Sequence, residues 1–298
     1  MLFARYEASA QERAVELPAS AVSLRVLSAG RGPDLVLLHD VNLCAASWAP
    51  LLPFLSGYRV HLVDLPGHGL SDPTAYRPGT VREQTLRLID GLLDALDVPA
   101  APVIGHSLGA MYALWHAAAR PGRITAIAAL GSPSGALPGV RVRMPLSLLT
   151  VPVLGTAVLR SSAPRPLHRW LLSMGLGADA EAAVSPELLD VLRLSSARPG
   201  NGRTVAWLVR ALNGPRRPRD ETVMSEAELQ AVGAPVLFCW GSEDAYQSPD
   251  QATASVKAMP SAELRTVPGG HGCWLEDPAL CAGLAVEHLV ASGCPPAA

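Results

Sequence analysis

The feature that most constrains the fold of this chain is a rhythm. Short apolar runs rich in β-branched residues alternate with longer stretches of helical periodicity. The runs are Val22–Leu27, Leu35–Leu38, Val60–Val63, Pro102–Gly105, Ile124–Leu130, Val236–Trp240 and Leu264–Val267. Their length, composition and flanking turn residues predict buried strands. The intervening Ala46–Leu55, Val81–Leu96, Leu108–Arg120, Pro249–Ala258 and Pro278–Val290 read as helices. In the second of these, Leu86, Ile89, Leu92, Leu93 and Leu96 recur on one face. Strands alternating with helices imply an α/β chain of parallel βαβ units with right-handed crossovers, in which ligands bind beyond the carboxyl ends of the strands. Chemistry is therefore expected in the residues directly after each strand.

The rhythm breaks between Ser132 and Asp220, a stretch dense in Pro and Gly and then helical without strands (Arg165–Met174, Glu187–Leu194, Thr204–Leu212). Residues 132–220 read as a helical cap or lid over the strand ends, with residues 1–131 and 221–298 forming the core. Within the cap, Met144, Leu146, Leu148, Leu149, Val151, Val153 and Leu154 favour a small hydrophobic substrate over a sugar or a charged one. Prolines 145 and 152 and Gly155 interrupt Met144–Leu159, which is too short to span a bilayer. Residues Met1–Glu7 lack the charged-then-apolar pattern of a signal peptide. A net charge of −2 gives no pull towards nucleic acid or an anionic membrane. The five cysteines (Cys44, Cys239, Cys273, Cys281, Cys294) include no C-x-x-C pair, which fits reduced thiols better than a disulfide framework or a zinc site. A soluble cytoplasmic protein, monomeric or homodimeric, is expected.

One strand-to-helix junction carries a chemical device. In Gly105-His106-Ser107-Leu108-Gly109 a serine sits on the turn, and the flanking glycines let strand and helix approach closely. A neutral hydroxyl is a poor nucleophile; it needs a base, a carboxylate to orient that base, and donors for the oxyanion. Each has a candidate just after a strand. The acid candidate is Asp244, on the loop after Val236–Trp240, with Glu243 as its more solvent-facing rival. The base candidate is His271, presented by a Gly-Gly loop after the last strand. The other seven histidines fall within strands, turns or helical patterns and are read as packing or surface groups. After Leu35–Leu38, the backbone N–H of Val41 can converge with that of Leu108 as an oxyanion hole. The turn-rich run Asp64–Asp72 frames the site.

Several of these segments resemble the α/β-hydrolase family: Leu37-Leu38-His39-Asp40, Asp64-Leu65-Pro66-Gly67-His68-Gly69-Leu70-Ser71, Gly105–Gly109, and Gly270-His271 with Leu275-Glu276-Asp277-Pro278, in the order serine, acid, histidine. The resemblance implies the α/β-hydrolase fold, a mostly parallel central sheet flanked by helices with a helical cap inserted after the sixth strand. It also implies roles: Ser107 attacks an acyl carbon, His271 shuttles the proton, and Asp244 fixes the tautomer of His271. Neither a metal nor an organic cofactor is required. The expected activity is hydrolysis of an ester, lactone or thioester through an acyl-enzyme. The same scaffold also serves carbon–carbon bond hydrolysis, perhydrolase and acyl-transfer chemistry, and weakly catalytic, ligand-binding or cyclase-like proteins.

The chain departs from the family at Asp40, where glycine is usual. Two readings stand. Asp40 is a turn residue facing solvent, or it lines the pocket and adapts it to chemistry other than simple ester hydrolysis. Asn42 and Cys44 on the same loop, His106 beside the serine, and Trp274 complete the expected pocket lining. Trp48 and Trp274 flank the expected pocket mouth. The basic runs Arg141/Arg143 and Arg216/Arg217/Arg219 read as solvated surface.

Overall fold

A computed structural model of the chain describes residues 10–17, 22–142, 147 and 164–297. Of the apolar cap run, Met144, Leu146, Leu148, Leu149, Val151, Val153 and Leu154 lie outside the described residues, as do Arg143 and Met1–Glu7. Eight strands make one sheet: β1 (Ala10–Leu17), β2 (Val22–Gly30), β3 (Asp34–Leu38), β4 (Arg59–Val63), β5 (Ala101–His106), β6 (Ile124–Leu130), β7 (Val236–Gly241) and β8 (Ala262–Val267), in spatial order β1-β2-β4-β3-β5-β6-β7-β8. The pairs β1/β2 and β2/β4 are antiparallel and the rest parallel. The chain therefore has the α/β-hydrolase fold that its motifs led us to expect.

The seven runs all fall within strands; β3, β5, β6 and β7 are buried at almost every position, as strands covered on both faces require, while edge strand β8 exposes Arg265 and Thr266. In β3, Val36 and Leu38 face one core and Leu35 and Leu37 the other, as the two-residue pleat requires. Helices α1 (Val81–Ala95) and α2 (Leu108–Ala119) cover the first face through Leu88, Leu92, Met111 and Leu114.

Between β6 and β7 lie α3 (Arg165–Leu176), α4 (Ala178–Ala183), α5 (Pro186–Ala197), α6 (Asn201–Leu212) and α7 (Glu226–Gln230) among the described residues. Beyond β7 come α8 (Pro249–Ala258), α9 (Cys273–Glu276) and α10 (Pro278–Ala291). The second face is covered by α10 and by a 3-10 helix over Ala45–Phe54. The helix expected at Ala46–Leu55 is thus present and of the 3-10 type. Pro50 and Pro53 remove the N–H donors that an α-helical ladder would need there.

The run after β4 is a scaffold knot. Asp64, fully buried, accepts hydrogen bonds from the Ala45 N–H (2.7 Å), the Leu70 N–H (2.9 Å) and Arg25 Nη1 (3.2 Å). Ser71 Oγ donates to the Asp64 carbonyl oxygen (2.6 Å) and accepts from the Arg25 N–H (2.8 Å). One carboxylate thus ties the 3-10 helix, the turn and β2 together behind the carboxyl edge of the sheet.

Candidate active site

The β5–α2 junction holds Ser107 at φ 49°, ψ −102°, a strained conformation for a residue with a side chain. The strain is sustained by close packing. A Cβ on Gly109 would collide with the Leu38 carbonyl oxygen, and one on Gly105 with the backbone of Ala110. Only glycines let α2 begin this close to β3 and β5.

Ser107, His271, Asp40 and Val41 line one cleft, together with Arg141, Asn213 and Tyr246. Across it, His271 Nδ1 stands 2.8 Å from Asp244 Oδ2. That carboxylate also accepts the Ser132 N–H at Oδ2 (2.9 Å) and the Tyr246 N–H at Oδ1 (2.9 Å). Glu243, the rival acid, is exposed. Burial works to raise the Asp244 pKa, but the facing imidazole and the two backbone donors outweigh it and hold it at about 2. For His271, burial works to lower the pKa; the charge and hydrogen bond of Asp244, with the further charge of Asp40, lift it to about 8.

Asp40 does not face solvent. It is 7% exposed and points into the cleft. Its Oδ1 accepts the Leu108 N–H (3.2 Å), and its Oδ2 lies 3.9 Å from His271 Nε2. The Leu108 N–H, expected to be free for an oxyanion, is thus engaged by a side chain of the same protein. His39 braces the loop. Its Nε2 accepts the Leu65 N–H (3.0 Å), which leaves Nδ1 to donate to the Asp40 carbonyl oxygen (2.7 Å). Burial keeps His39 neutral, with its pKa down at about 4. The left-handed residue of this loop is Asn42 (φ 65°), two positions beyond Asp40.

Four expected pocket residues sit elsewhere. Asn42 Oδ1 accepts from Ser196 Oγ (3.3 Å) on α5 and does not reach the cleft. Cys44 is buried in the core at the start of the 3-10 helix. His106 is fully buried; its Nε2 hydrogen-bonds the His271 carbonyl oxygen (3.1 Å), because successive strand residues point to opposite sides of the sheet. Trp274 is fully buried against Trp48, ring centroids 4.6 Å apart, so these indoles are packing and not a pocket mouth.

Sequence reading missed Ser132, whose Oγ lies 3.2 Å from His271 Nδ1, and Tyr246, whose ring meets the His271 ring edge-on at 4.7 Å. Arg141, read as solvated surface, is exposed and also lines the cleft. Ser132 follows the end of β6 and Tyr246 that of β7, which was the only available signal. Two groups of metal-capable atoms converge among the described residues. One is Asp40, His106 and His271, which already make the contacts above. The other is the buried thiols Cys239, Cys273 and Cys281, which no sequence spacing had linked. No helix among the described residues is long and apolar enough to cross a membrane.

Comparison with known proteins agrees with this architecture. A family model described as "Alpha/beta hydrolase family" matches residues 35–284. A pimeloyl-[acyl-carrier protein] methyl ester esterase of Stenotrophomonas maltophilia (strain K279a) is 32% identical over 270 residues, covering 89% of this chain and 96% of that protein. A 2-hydroxy-6-oxononadienedioate/2-hydroxy-6-oxononatrienedioate hydrolase of Paraburkholderia xenovorans (strain LB400) is 27% identical over 252 residues, covering 82% of each. Among solved structures, a 2-hydroxy-6-oxo-6-phenylhexa-2,4-dienoate hydrolase from Rhodococcus sp. strain RHA1 superposes with a TM-score of 0.75 at 22% identity, over 95% of this chain and all of that one.

Proposed function

This chain belongs to the alpha/beta hydrolase family, and on that premise we propose that it is a serine hydrolase cleaving an ester, lactone or thioester of a small hydrophobic molecule. The observation that carries this reading is the juxtaposition in one cleft of a strained Ser107 with His271, whose far nitrogen is held 2.8 Å from Asp244. In this reading Ser107 Oγ attacks the acyl carbon and His271 Nε2 takes its proton. Asp244 keeps Nδ1 protonated and stabilises the imidazolium. The leaving group takes that proton, and water repeats the sequence to release the acid. The Val41 N–H serves the carbonyl oxygen, while the Leu108 N–H does so only once Asp40 releases it. Residues 132–220 act as the lid that selects the substrate.

A second reading, hydrolysis of a carbon–carbon bond by the same residues, is favoured by likeness to the dienedioate hydrolases and by Arg141 on the cleft wall, a cation that a substrate carboxylate can meet. Exposure to a fluorophosphonate probe, with p-nitrophenyl acetate and butyrate turnover in parallel, tests the serine reading. We expect labelling and acyl release that vanish in Ser107→Ala. Labelling that survives this substitution would overturn the assignment. Turnover of a dienoate ring-cleavage product without ester turnover would select the second reading.

A further inference from the structure

We infer that Cys239, Cys273 and Cys281 form a binding site for a trivalent thiophilic centre, taking up arsenous acid as a neutral tris-thiolate. The site is independent of the serine-hydrolase reading, since none of the three sulfurs enters that chemistry. The three residues come from different elements, β7, α9 and α10, so only the folded chain brings them together. All are buried, with exposures of 0%, 1% and 0%. Their Sγ atoms lie within 4.8 Å of one another, and Cys239 Sγ stands 3.7 Å from Cys281 Sγ. Sulfurs bonded to one soft centre at about 2.3 Å stand about 3.5–4.0 Å apart, depending on the bond angle. The Cys239–Cys281 edge already has that length, and the 4.8 Å bound leaves the other two edges little to close. Cys273 Sγ also approaches the Cys239 carbonyl oxygen (3.9 Å), a contact too long to hold the thiol back from a covalent bond.

Charge selects among the soft centres that thiolates bind. A divalent ion held by three thiolates leaves one uncompensated negative charge, and a monovalent ion leaves two. A trivalent centre leaves none. The surroundings are apolar: Leu130, Val267, Trp274, Ala282 and Ala285 belong to the same core cluster. A buried charge without a partner is costly there. Burial keeps His106 neutral, its pKa down at about 3, and His271 already faces Asp244. Glu276, whose carboxylate field reaches Cys273, would repel an anionic complex. A neutral complex fits this environment. Arsenous acid is itself small and uncharged at neutral pH, which suits entry into a core. Cys273 opens a helix of only four residues, Cys273–Glu276. Local opening of that turn exposes its thiol while the sheet stays folded.

The uptake is an exchange of bonds. Each thiol gives its proton to one hydroxyl of arsenous acid, which leaves as water, and its sulfur takes the vacated place on arsenic. Three S–H and three As–O bonds break, while three As–S and three O–H bonds form. Arsenic stays trivalent, so no oxidant or reductant takes part. The two remaining cysteines stand apart from the cluster. Cys44 is the residue before the 3-10 helix, and Cys294 Sγ lies 3.4 Å from Thr125 Oγ1. Each of these can give arsenic one bond at most.

The test is the intact mass of the protein after incubation with arsenite in the presence of glutathione. It is read in wild type, Cys239→Ala, Cys273→Ala, Cys281→Ala, Cys44→Ala and Cys294→Ala. Glutathione, a monothiol, keeps one-bond adducts from accumulating. Wild type is expected to gain one arsenic and lose three hydrogens, with no oxygen retained, and to do so slowly because the buried site opens rarely. Cys44→Ala and Cys294→Ala should keep this adduct, and each of the other three variants should lose it. An adduct that retains a hydroxyl has only two sulfur bonds and would overturn the three-thiol site. An unchanged adduct in Cys281→Ala would do the same. Wild type needs no substitution to fail: no arsenic uptake, whether arsenite meets the native protein or is present during refolding from urea, would sink the proposal. Uptake should also raise the urea midpoint of wild type and leave that of Cys281→Ala in place. Equal shifts in the two proteins would count against the site. Finally, Cd(II) at an equal concentration should leave the arsenic adduct intact; its displacement would refute selection by charge.

Discussion

Replacing Asp244 by asparagine should give a stability loss that depends on pH in a defined direction. The carboxylate accepts from His271 Nδ1, the Ser132 N–H and the Tyr246 N–H. An amide has one acceptor oxygen, so in either orientation its NH2 faces a backbone donor, and a buried N–H is left unpaired at a cost of about 1–3 kcal/mol. Added to this is the His271 proton. Its pKa rises from 6.5 to about 8 on folding, which corresponds to about 2 kcal/mol. Because the folded-state value is the higher one, this stabilisation is complete below pH 6.5 and is lost as pH rises through about 8. Asp244→Asn removes the main group lifting that pKa. The wild-type advantage should therefore be about 3–5 kcal/mol at pH 6 and shrink to about 1–3 kcal/mol by pH 9. Urea unfolding of both proteins at matched pH values reads the difference directly, and titrations elsewhere in the chain cancel. A difference that is flat or grows with pH would refute the argument. In the same variant kcat should drop on the order of 10⁴-fold, since the amide favours the wrong imidazole tautomer.

Trp274→Ala empties a fully buried site between Trp48 and His106 and should cost about 3–5 kcal/mol in urea unfolding; a loss below about 1.5 kcal/mol would mean the pocket collapses without strain. Gly109→Ala drives a methyl into the Leu38 carbonyl oxygen and should depress both melting temperature and Ser107 labelling, while an unchanged labelling rate would show that the junction has slack. Native protein treated with an aromatic disulfide reagent should release one equivalent promptly, from Cys294, and five only after unfolding; prompt release of more than one would contradict the burial of Cys44, Cys239, Cys273 and Cys281.

The sequence carried the strands well because a sheet buried on both faces writes itself as uninterrupted apolar runs. It failed at β1. There Gln11, Glu12, Arg13 and Glu16 are exposed on an edge strand, leaving only Val15 and Leu17 as buried signals. The order serine, acid, histidine was legible because Ser107 directly follows β5 and Asp244 and His271 sit on the loops that leave β7 and β8. Side-chain direction was not. Whether Asp40 faces water or the cleft depends on the loop path set by His39, and that histidine finds its partner, the Leu65 N–H, 26 residues away. Ser132 and Tyr246 escaped for the same reason: nothing in their local sequence says that they meet at His271.

What brings Asp40 to the Leu108 N–H is strand register rather than loop chemistry. Leu38 on β3 pairs with Gly105 on β5. Two residues further along each chain stand Asp40 and Ser107, so the position opposite the nucleophile is fixed before any side chain is chosen. Parallel neighbours lie about 4.8 Å apart, a gap that a short carboxylate can close. Glycine at this position leaves the space to the substrate's oxygen. Aspartate fills it and, at 3.9 Å from His271 Nε2, also enters the titration of the base. One substitution at a register-fixed site therefore changes two quantities together, the charge that meets the oxyanion and the pH at which histidine becomes free to act. That coupling is why the slope of activity with pH, more than its magnitude, reports what this residue does.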